Sequence, residues 1–305
     1  MDLPQHAFFK NQIVPYSEAH IGVMTHALNY GTAVFAGLRA YWNAERRSLY
    51  LFRPLDHFRR FLQSSRLMRM QFEETPERLL EITLDLLRAD AYQRDVYIRV
   101  LGYKADEIIG VRLHGLTDEF TLFAVPFDQY VSTETDAHVT VSSWRRVDDN
   151  AIPARGKISG AYVNSAFIKS DAQLAGFDEA IVLNQDGHVS EGSAENLFIV
   201  RGGTLITPPV TDNILEGITR RTVIELANQE LGIEVCERSI DRTELYLCDE
   251  LLLTGTAAQI TAATHIDNRP VGAGIMGPVT TRLRELYFQV VRGCIPKYGE
   301  WNVRV

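Results

Sequence analysis

Stretches with strand character recur along this 305-residue chain at intervals too irregular for a repeated strand–helix–strand unit, and that irregularity limits the fold more than any other feature. Val96-Tyr97-Ile98-Arg99-Val100 and Thr121-Leu122-Phe123-Ala124-Val125 read as strands, the second stopped by Pro126. Further strands are expected at His138 to Trp144, Glu179 to Asn184 and Glu195 to Val200, the last turning at Gly202-Gly203 into Thr204 to Thr207. Helices separate them. Pro54 to Gln71 places Leu55, Phe58, Leu62 and Met68 near helical spacing, and Pro76 to Ala91 repeats the pattern with Leu79, Leu80, Ile82 and Leu86. Asn164 to Leu174, Ile218 to Leu231 and Pro278 to Val291 are helices closed by Gly176, Gly232 and Gly293. The expected class is α/β of the mixed α+β type, without a doubly wound parallel sheet.

A chain of 305 residues exceeds one ordinary domain. The polar run Ser132-Thr133-Glu134-Thr135-Asp136, just after Pro126, predicts a small domain over 1–125, a connection over 126–136 and a large domain over 137–305. No apolar run approaches the roughly 18 residues of a membrane span, and Met1-Asp2-Leu3-Pro4-Gln5-His6 has no basic region leading into an apolar stretch, so a cytoplasmic protein is expected. Cys236, Cys248 and Cys294 form no CxxC pair, as suits a reducing compartment. A net charge of −8 argues against nucleic acid as a partner, and helical spacing spreads Arg59, Arg60, Arg66 and Arg69 around their helix.

One motif misleads. Gly272-Ala273-Gly274-Ile275-Met276-Gly277 matches the GxGxxG dinucleotide fingerprint, but the chain ends after one further helix, where about 30 residues of βαβ unit and a later acidic residue are required. A glycine-rich loop entering a helix describes it better. GxxxxGK[ST], GxSxG, SxxK and HExxH runs are absent, and the histidines are scattered, so His26 and His57 read as structural hydrogen bonders and no metal is expected.

Lysine is scarce here: five lysines stand against twenty-six arginines, yet Lys157 is kept in Ala154-Arg155-Gly156-Lys157-Ile158-Ser159-Gly160-Ala161-Tyr162. On local context alone a solvated loop lysine is the commoner case. An amine can also form a Schiff base with an aldehyde, which a guanidinium cannot. Enzymes of that chemistry need an acid facing a pyridinium nitrogen and an anion site for a phosphate. Ser190-Glu191-Gly192-Ser193-Ala194-Glu195-Asn196 offers two carboxylates in a small-residue stretch, though either reads equally as an exposed turn residue. Glu216-Gly217-Ile218-Thr219-Arg220 opens a helix with free N–H groups, and Thr254-Gly255-Thr256-Ala257-Ala258 is a second small-polar turn. Ordinary N-caps look the same.

Taken together these stretches resemble the class IV, or fold type IV, pyridoxal-phosphate-dependent aminotransferases. The resemblance rests on His26-Ala27-Leu28-Asn29-Tyr30-Gly31-Thr32 with Val34-Phe35, Tyr97-Ile98-Arg99, the Lys157 segment, Ser190-Glu191-Gly192 with Glu195-Asn196-Leu197-Phe198, Leu215 with Gly217-Ile218-Thr219-Arg220, and Gly255-Thr256-Ala257-Ala258. It is closest to the branched-chain amino acid aminotransferase branch. That resemblance implies two α/β domains with pyridoxal 5′-phosphate at their interface, in a homodimer or higher homo-oligomer whose partner subunit completes each pocket. It implies transfer of the amino group of L-leucine, L-isoleucine or L-valine to 2-oxoglutarate in ping-pong fashion, leaving 2-oxo acids and L-glutamate.

Residue by residue, Lys157 matches the lysine that joins the cofactor aldehyde and later moves the substrate Cα proton, and Glu191 matches the carboxylate at the pyridine nitrogen. Tyr162 matches the phenol near O3′, Arg60, Ile218, Thr219 and Thr256 the phosphate cup, and Leu215 the residue on the ring face. For substrate, Tyr97, Thr256 and Ala257 match groups receiving the α-carboxylate, and Arg99 one that meets the distal carboxylate of glutamate. Tyr30, Phe35 and Tyr130 match walls of the side-chain pocket, a place where plain core packing would look alike. The chain departs from the family at Ala36, where glutamate is usual, and at Phe127, where tryptophan is frequent, both expected near the pocket. Arg112 and His114 offer extra carboxylate contacts. Transamination of (R)-amines or D-amino acids and an aminodeoxychorismate lyase activity are the alternatives the same scaffold allows.

Overall fold

A computed structural model describes residues 3–127 and 134–305. The chain divides into two compact units, Met1–Asp128 with Gly156–Ala161 and Gln289–Val305, and Gln129–Arg155 with Tyr162–Phe288. The single division read from sequence, which keeps 137–305 together, therefore differs from the units observed. Long-range pairing is the reason: residues 156–161 hydrogen-bond to a strand of the first unit, and the C-terminal residues 302–304 extend its sheet.

In the first unit, β1 (His6–Phe9), β2 (Gln12–Pro15), β3 (Ala33–Asn43), β4 (Ser48–Phe52), β5 (Val96–Lys104) and β6 (Asp118–Pro126) join the C-terminal strand Asn302–Arg304 in one sheet. The order is C-terminal strand, β4, β3, β5, β6, β1, β2, and every pairing is antiparallel. Among the described residues three α-helices accompany it: α1 (His26–Tyr30), α2 (Pro54–Leu67) and α3 (Pro76–Asp90). The Thr75 hydroxyl caps α3 by accepting from the Arg78 N–H at 3.2 Å. α2 ends before the expected Gln71, because Arg69 turns to a left-handed φ of 53°.

Strand side chains alternate between faces, and here the alternation separates core from site. Val34, Ala36 and Leu38 of β3 and Ile98 and Val100 of β5 are buried on the side where Phe61 of α2 closes against Gly102. Each of the valine, leucine and isoleucine side chains contributes about 1.5–3 kcal/mol by leaving water, and the Ala36 methyl less. The other face carries Phe35, Gly37, Tyr97 and Arg99, with Gly37 opposite Arg99 and Phe35 opposite Leu101. The Ala36 side chain thus faces the core, on the opposite side of the strand from Phe35.

In the second unit, β7 (Ala137–Arg145), β8 (Glu179–Leu183), β9 (Val189–Gly192), β10 (Asn196–Arg201), β11 (Thr204–Thr207), β12 (Val235–Glu237), β13 (Glu250–Gly255) and β14 (Gln259–Ile266) form a mixed sheet, with the short β15 (Arg269–Pro270) on β14. Its order is β12, β11, β10, β13, β14, β7, β8, β9. α4 (Tyr162–Leu174) packs on β7 and β8, while α5 (Ile218–Glu230) lies against β12 and β13. α6 (Pro278–Val291) completes the set. Ile181 and Leu183 enter the main core with Val139, Leu197, Ile199, Leu251 and Leu253. Ala180 and Val182 meet Ile168 and Ala172 of α4. β8 is covered on both faces, which is why it reads as a continuous apolar run. The Gly202-Gly203 hairpin forms as expected, with φ of 57° and 84°. Among the described residues no helix is long and apolar enough to cross a membrane.

Candidate active site

Lys157 belongs with the first unit, where its backbone is stitched to β3 and α2. The Phe35 N–H donates to the Lys157 carbonyl at 2.9 Å, and the Lys157 N–H donates to Ser64 Oγ at 3.1 Å. Ser64 Oγ in turn donates to the Arg60 carbonyl at 2.9 Å, so one hydroxyl ties the Lys157 backbone to the turn of α2 that carries Arg60. Two glycines let the segment close in: a Cβ on Gly31, whose φ is 66°, would lie 2.9 Å from Gly160 Cα. Gly160 N–H donates to the Gly31 carbonyl at 3.1 Å. The glycines around Lys157 therefore serve backbone approach.

The half-buried Lys157 amine stands 4.9 Å from the Phe35 ring centre, and the Arg99 guanidinium lies 4.3 Å from the same ring. Two basic side chains thus lie within cation–π distance of the Phe35 ring. Arg99 Nε donates to the Tyr97 hydroxyl at 3.1 Å, and Tyr97 leans on Phe127 with ring centres 5.5 Å apart. A Cβ at position 37 would sit 2.1 Å from that hydroxyl, so Gly37 makes the room for Tyr97. Tyr30, at the end of α1, accepts from the Gly110 N–H at 3.0 Å, while Arg112 and His114 of the same loop are exposed. His26 is buried between Thr32 Oγ1 and the Gly110 carbonyl, 2.7 Å from each, as a structural histidine should be. Tyr130 lies outside the described residues.

The second unit holds Glu191, which is buried on β9. Its Oε1 is 2.8 Å from Arg146 Nη2, and its Oε2 accepts from Asn196 Nδ2 at 2.9 Å and from the Leu215 N–H at 3.0 Å. Asn196 Nδ2 also donates to the Leu215 carbonyl at 2.9 Å. Glu191, Asn196 and Leu215 thus form one bonded group, and Gly217 fits beside it only as glycine, since a Cβ there would meet Asn196 Oδ1 at 2.0 Å. Ile218 and Thr219 follow at the start of α5, whose N-cap Gly217 supplies no side-chain acceptor. Thr256 and Ala257 occupy the turn between β13 and β14, and Tyr162 opens α4. Neither Ser64 nor Arg146 was singled out from sequence. Ser64 carries a faint signal, a hydroxyl four residues after Arg60, but Arg146 is one of many arginines.

Glu195, the second carboxylate of the stretch, is equally buried but differently held. Its Oε2 accepts from the Ala194 N–H at 3.1 Å. Burial first, then Glu179, pushes this carboxyl up to about 8; Lys169 and the Ala194 N–H pull it back and Glu191 adds to the rise. Lys169 itself is engaged at 2.7 Å by Glu179.

The glycine fingerprint at 272–277 has a structural explanation. Gly272 is left-handed at φ 53°, and a Cβ there would lie 2.1 Å from the Asp249 carbonyl. Gly277 abuts Glu250, whose carboxylate accepts from the N–H groups of Val279 and Thr280 at 2.9 and 2.8 Å and from Thr280 Oγ1 at 2.7 Å. A carboxylate fills the place where a dinucleotide phosphate would have to sit. Among the described residues one cluster offers metal-type side chains: Asp136, His138 and His265 bring a ligand atom each within 4.8 Å of the others. The two imidazoles lie tilted at 35° with centres 4.2 Å apart, and Thr264 Oγ1 bonds both Asp136 Oδ1 and His265 Nδ1.

Residues 33–266 match the model of the family described as amino-transferase class IV. The chain is 48% identical to a probable branched-chain-amino-acid aminotransferase of Aquifex aeolicus, over 97% of this chain and 95% of that one. Among solved structures, a branched-chain amino acid aminotransferase of Thermobaculum terrenum in its PLP form superposes with a TM-score of 0.94 at 40% identity, over 99% of this chain and 98% of that chain. Another branched-chain amino acid aminotransferase, solved in complex with N-(5′-phosphopyridoxyl)-L-glutamate, gives 0.93 at 40% identity, over 98% of each. The chain belongs to the class IV aminotransferase family.

Proposed function

We propose that this protein is a pyridoxal-phosphate-dependent transaminase that takes the amino group from L-leucine, L-isoleucine or L-valine and passes it to 2-oxoglutarate, yielding 2-oxo acids and L-glutamate. The observation that carries the reading is the Lys157 amine over Phe35, on the strand face shared by Arg99 and Tyr97. Support comes from relatives whose names specify branched-chain substrates, from the PLP form of one, and from the phosphopyridoxyl-glutamate bound by another.

The residues fit the cofactor on three counts. α5 begins without a side-chain cap, the buried Thr254 Oγ1 opposite Asn196 has no hydrogen-bond partner, and Glu191 is a buried acid held by a guanidinium. When bound, pyridoxal phosphate supplies an aldehyde for the amine and a ring that draws electrons from the substrate Cα. Lys157 would hold the cofactor through that aldehyde and, once the substrate amine has displaced Nζ, the freed amine would carry the proton from the substrate Cα to the cofactor C4′, work worth about 10²–10⁴ in rate. Glu191 would hold the ring nitrogen protonated, Tyr162 would donate to O3′, and Leu215 would pack on the ring. Arg60, Ile218, Thr219 and Thr256 would bind the phosphate through charge and N–H donors. Tyr97 with the Thr256 and Ala257 N–H groups would receive the α-carboxylate, and Arg99 the distal carboxylate of glutamate. Phe35, Tyr30 and Tyr130 would line the side-chain pocket, where one methylene changes affinity by only about 1–3 kcal/mol, so preference among the three donors would be loose.

The test is direct. Purified protein should be yellow, borohydride should fix cofactor mass on Lys157, and L-leucine with 2-oxoglutarate should give glutamate. Lys157→Ala turning over at the parental rate would end the proposal. Glutamate formed from D-alanine or (R)-1-phenylethylamine in place of L-leucine would move it to another substrate class, and absence of glutamate with any donor would favour a lyase. The same reading includes a cytoplasmic homodimer. Val23, Leu28, Ile109 and Val111, exposed by 83%, 61%, 75% and 77% on α1, the residues before it and the loop bonded to it, support a self-association that sedimentation would measure.

A further inference from the structure

We propose that Arg146 is a positioning residue for this reaction, one whose guanidinium assigns the negative charge of the Glu191–Glu195 pair to Glu191 and leaves Glu195 uncharged behind it. The inference rests on the transaminase reading for its kinetic consequences, but its structural half stands on the second unit alone.

Two carboxylates four residues apart are both buried, and they have unequal partners. Glu191 receives the Arg146 guanidinium at 2.8 Å, an amide N–H₂ and a backbone N–H. Three donors of which one is a cation favour the ionised form. Glu195 receives one backbone N–H, and the charged groups acting on it are Glu179 from β8, Lys169 from α4 and Glu191 from β9. Lys169 is already neutralised by Glu179 at 2.7 Å. Burying a second negative charge there would be costly, and the proton stays.

Arg146 is built to stay where it is. The residue follows β7, its N–H donates to the Leu183 carbonyl at 2.9 Å, and its carbonyl accepts from Gln185 Nε2 at 3.1 Å. Its Nε donates to the Asn213 carbonyl at 3.2 Å, which fixes the plane of the guanidinium, and the side chain is only 12% exposed. Asn213 reaches that position through a left-handed φ of 61°. A flexible surface arginine would show none of these restraints.

The experiment uses Arg146→Met, Arg146→Lys and Glu195→Gln in the full chain. With pyridoxal phosphate bound, Arg146→Met should lower kcat at least about tenfold with KM nearly constant, and should move the acid limb of the pH profile and of the cofactor absorbance titration upward by about one pH unit or more. Arg146→Lys should recover most of both. Glu195→Gln, which replaces a neutral acid by its neutral isostere, should leave turnover near parental at pH 7. In the apoprotein, the unfolding midpoint of the parent should fall as pH rises from about 5 to 8, and Glu195→Gln should abolish that fall. An Arg146→Met enzyme with full cofactor and an unshifted profile overturns the proposal, as does an apoprotein whose Glu195→Gln variant keeps the parental pH slope. If Arg146→Met fails to fold, the apoprotein slope and the Arg146→Lys profile decide. A colourless, inactive parent would defeat the transaminase reading, while the apoprotein slope would still judge the charge assignment.

Discussion

Replacing Glu250 by alanine removes a helix cap whose worth can be worked out from its three bonds. The carboxylate accepts from the Val279 N–H at 2.9 Å, the Thr280 N–H at 2.8 Å and Thr280 Oγ1 at 2.7 Å, at the positive end of α6. Loss of an N-cap costs about 0.5–2 kcal/mol, and loss of a negative charge at a helix start adds about 0.3–1 kcal/mol. Thr280 is buried, so its orphaned N–H and hydroxyl cannot turn to bulk water, and a further 1 kcal/mol or so follows. The total is about 3 kcal/mol. For a protein of 305 residues that is a fall of roughly 5 °C in the unfolding midpoint. Glu250→Gln can keep the oxygen that serves Thr280 but loses the charge and, with its amide N–H₂ facing the Val279 N–H, that bond as well, so it should cost about half to two-thirds as much. Far-UV circular dichroism during heating, with and without pyridoxal phosphate, measures both variants, and the cofactor should raise parent and variant by similar amounts because the cap is not a ligand. A Glu250→Ala protein within about 0.5 kcal/mol of the parent would refute the assignment of the 272–277 loop as a capped helix entry.

Other perturbations have equally definite outcomes. Gly217→Ala should push Asn196 off Glu191, because the new Cβ would lie 2.0 Å from Asn196 Oδ1; a spectrophotometric titration should show pyridoxal phosphate binding weakened at least about tenfold, the loss of one charge-assisted hydrogen bond. Gly272→Ala combines a left-handed φ with a 2.1 Å approach to the Asp249 carbonyl, and should cost more than the 1–2 kcal/mol or so of the backbone term alone in urea unfolding. Hydrogen bonds from Arg238 and Arg201 hold the Glu244 carboxyl down at about 2. Its folded value lies below the unfolded one, so its contribution is present above about pH 4.5 and is lost as pH falls toward 2. Both arginines are nearly half exposed, so solvent screening leaves about 1 kcal/mol, and Glu244→Gln should lose that much at pH 7 and nothing at pH 2.

The parts of this fold legible in sequence are those whose signals are local. α3 starts at Thr75-Pro76 because a capping hydroxyl and a first-turn proline stand together there, and the Gly202-Gly203 hairpin needs nothing beyond its own φ angles. β3 escaped notice for a physical reason. Ten of its eleven residues are buried and Phe35, Gly37 and Arg39 interleave with Val34, Ala36 and Leu38, so neither face supplies the polar contrast that marks a strand. The placement of 156–161 with the first unit, and of the C-terminal strand beside β4, depends on partners more than a hundred residues away, which no local pattern encodes.

The candidate site divides along the same line. Lys157 and Glu191 stood out because their neighbours are glycines and small residues, and the structure shows those neighbours at work: Gly160 packs backbone to backbone on Gly31, and a Cβ on Gly192 would meet Glu195 Oε2 at 2.8 Å. Composition near a functional side chain is thus a readable trace of close approach. Arg146 leaves no such trace, since a guanidinium reaches its partner through a long side chain and asks nothing of the residues beside it. The same logic separates the two glycine-rich helix entries. α5 and α6 look alike in sequence, each a glycine followed by a helix start, but Glu250 approaches α6 from a strand 28 residues earlier and fills its positive end, whereas α5 has only Gly217 at its cap. Which helix can accept a phosphate is therefore decided by a tertiary carboxylate, and a motif that counts glycines cannot see it.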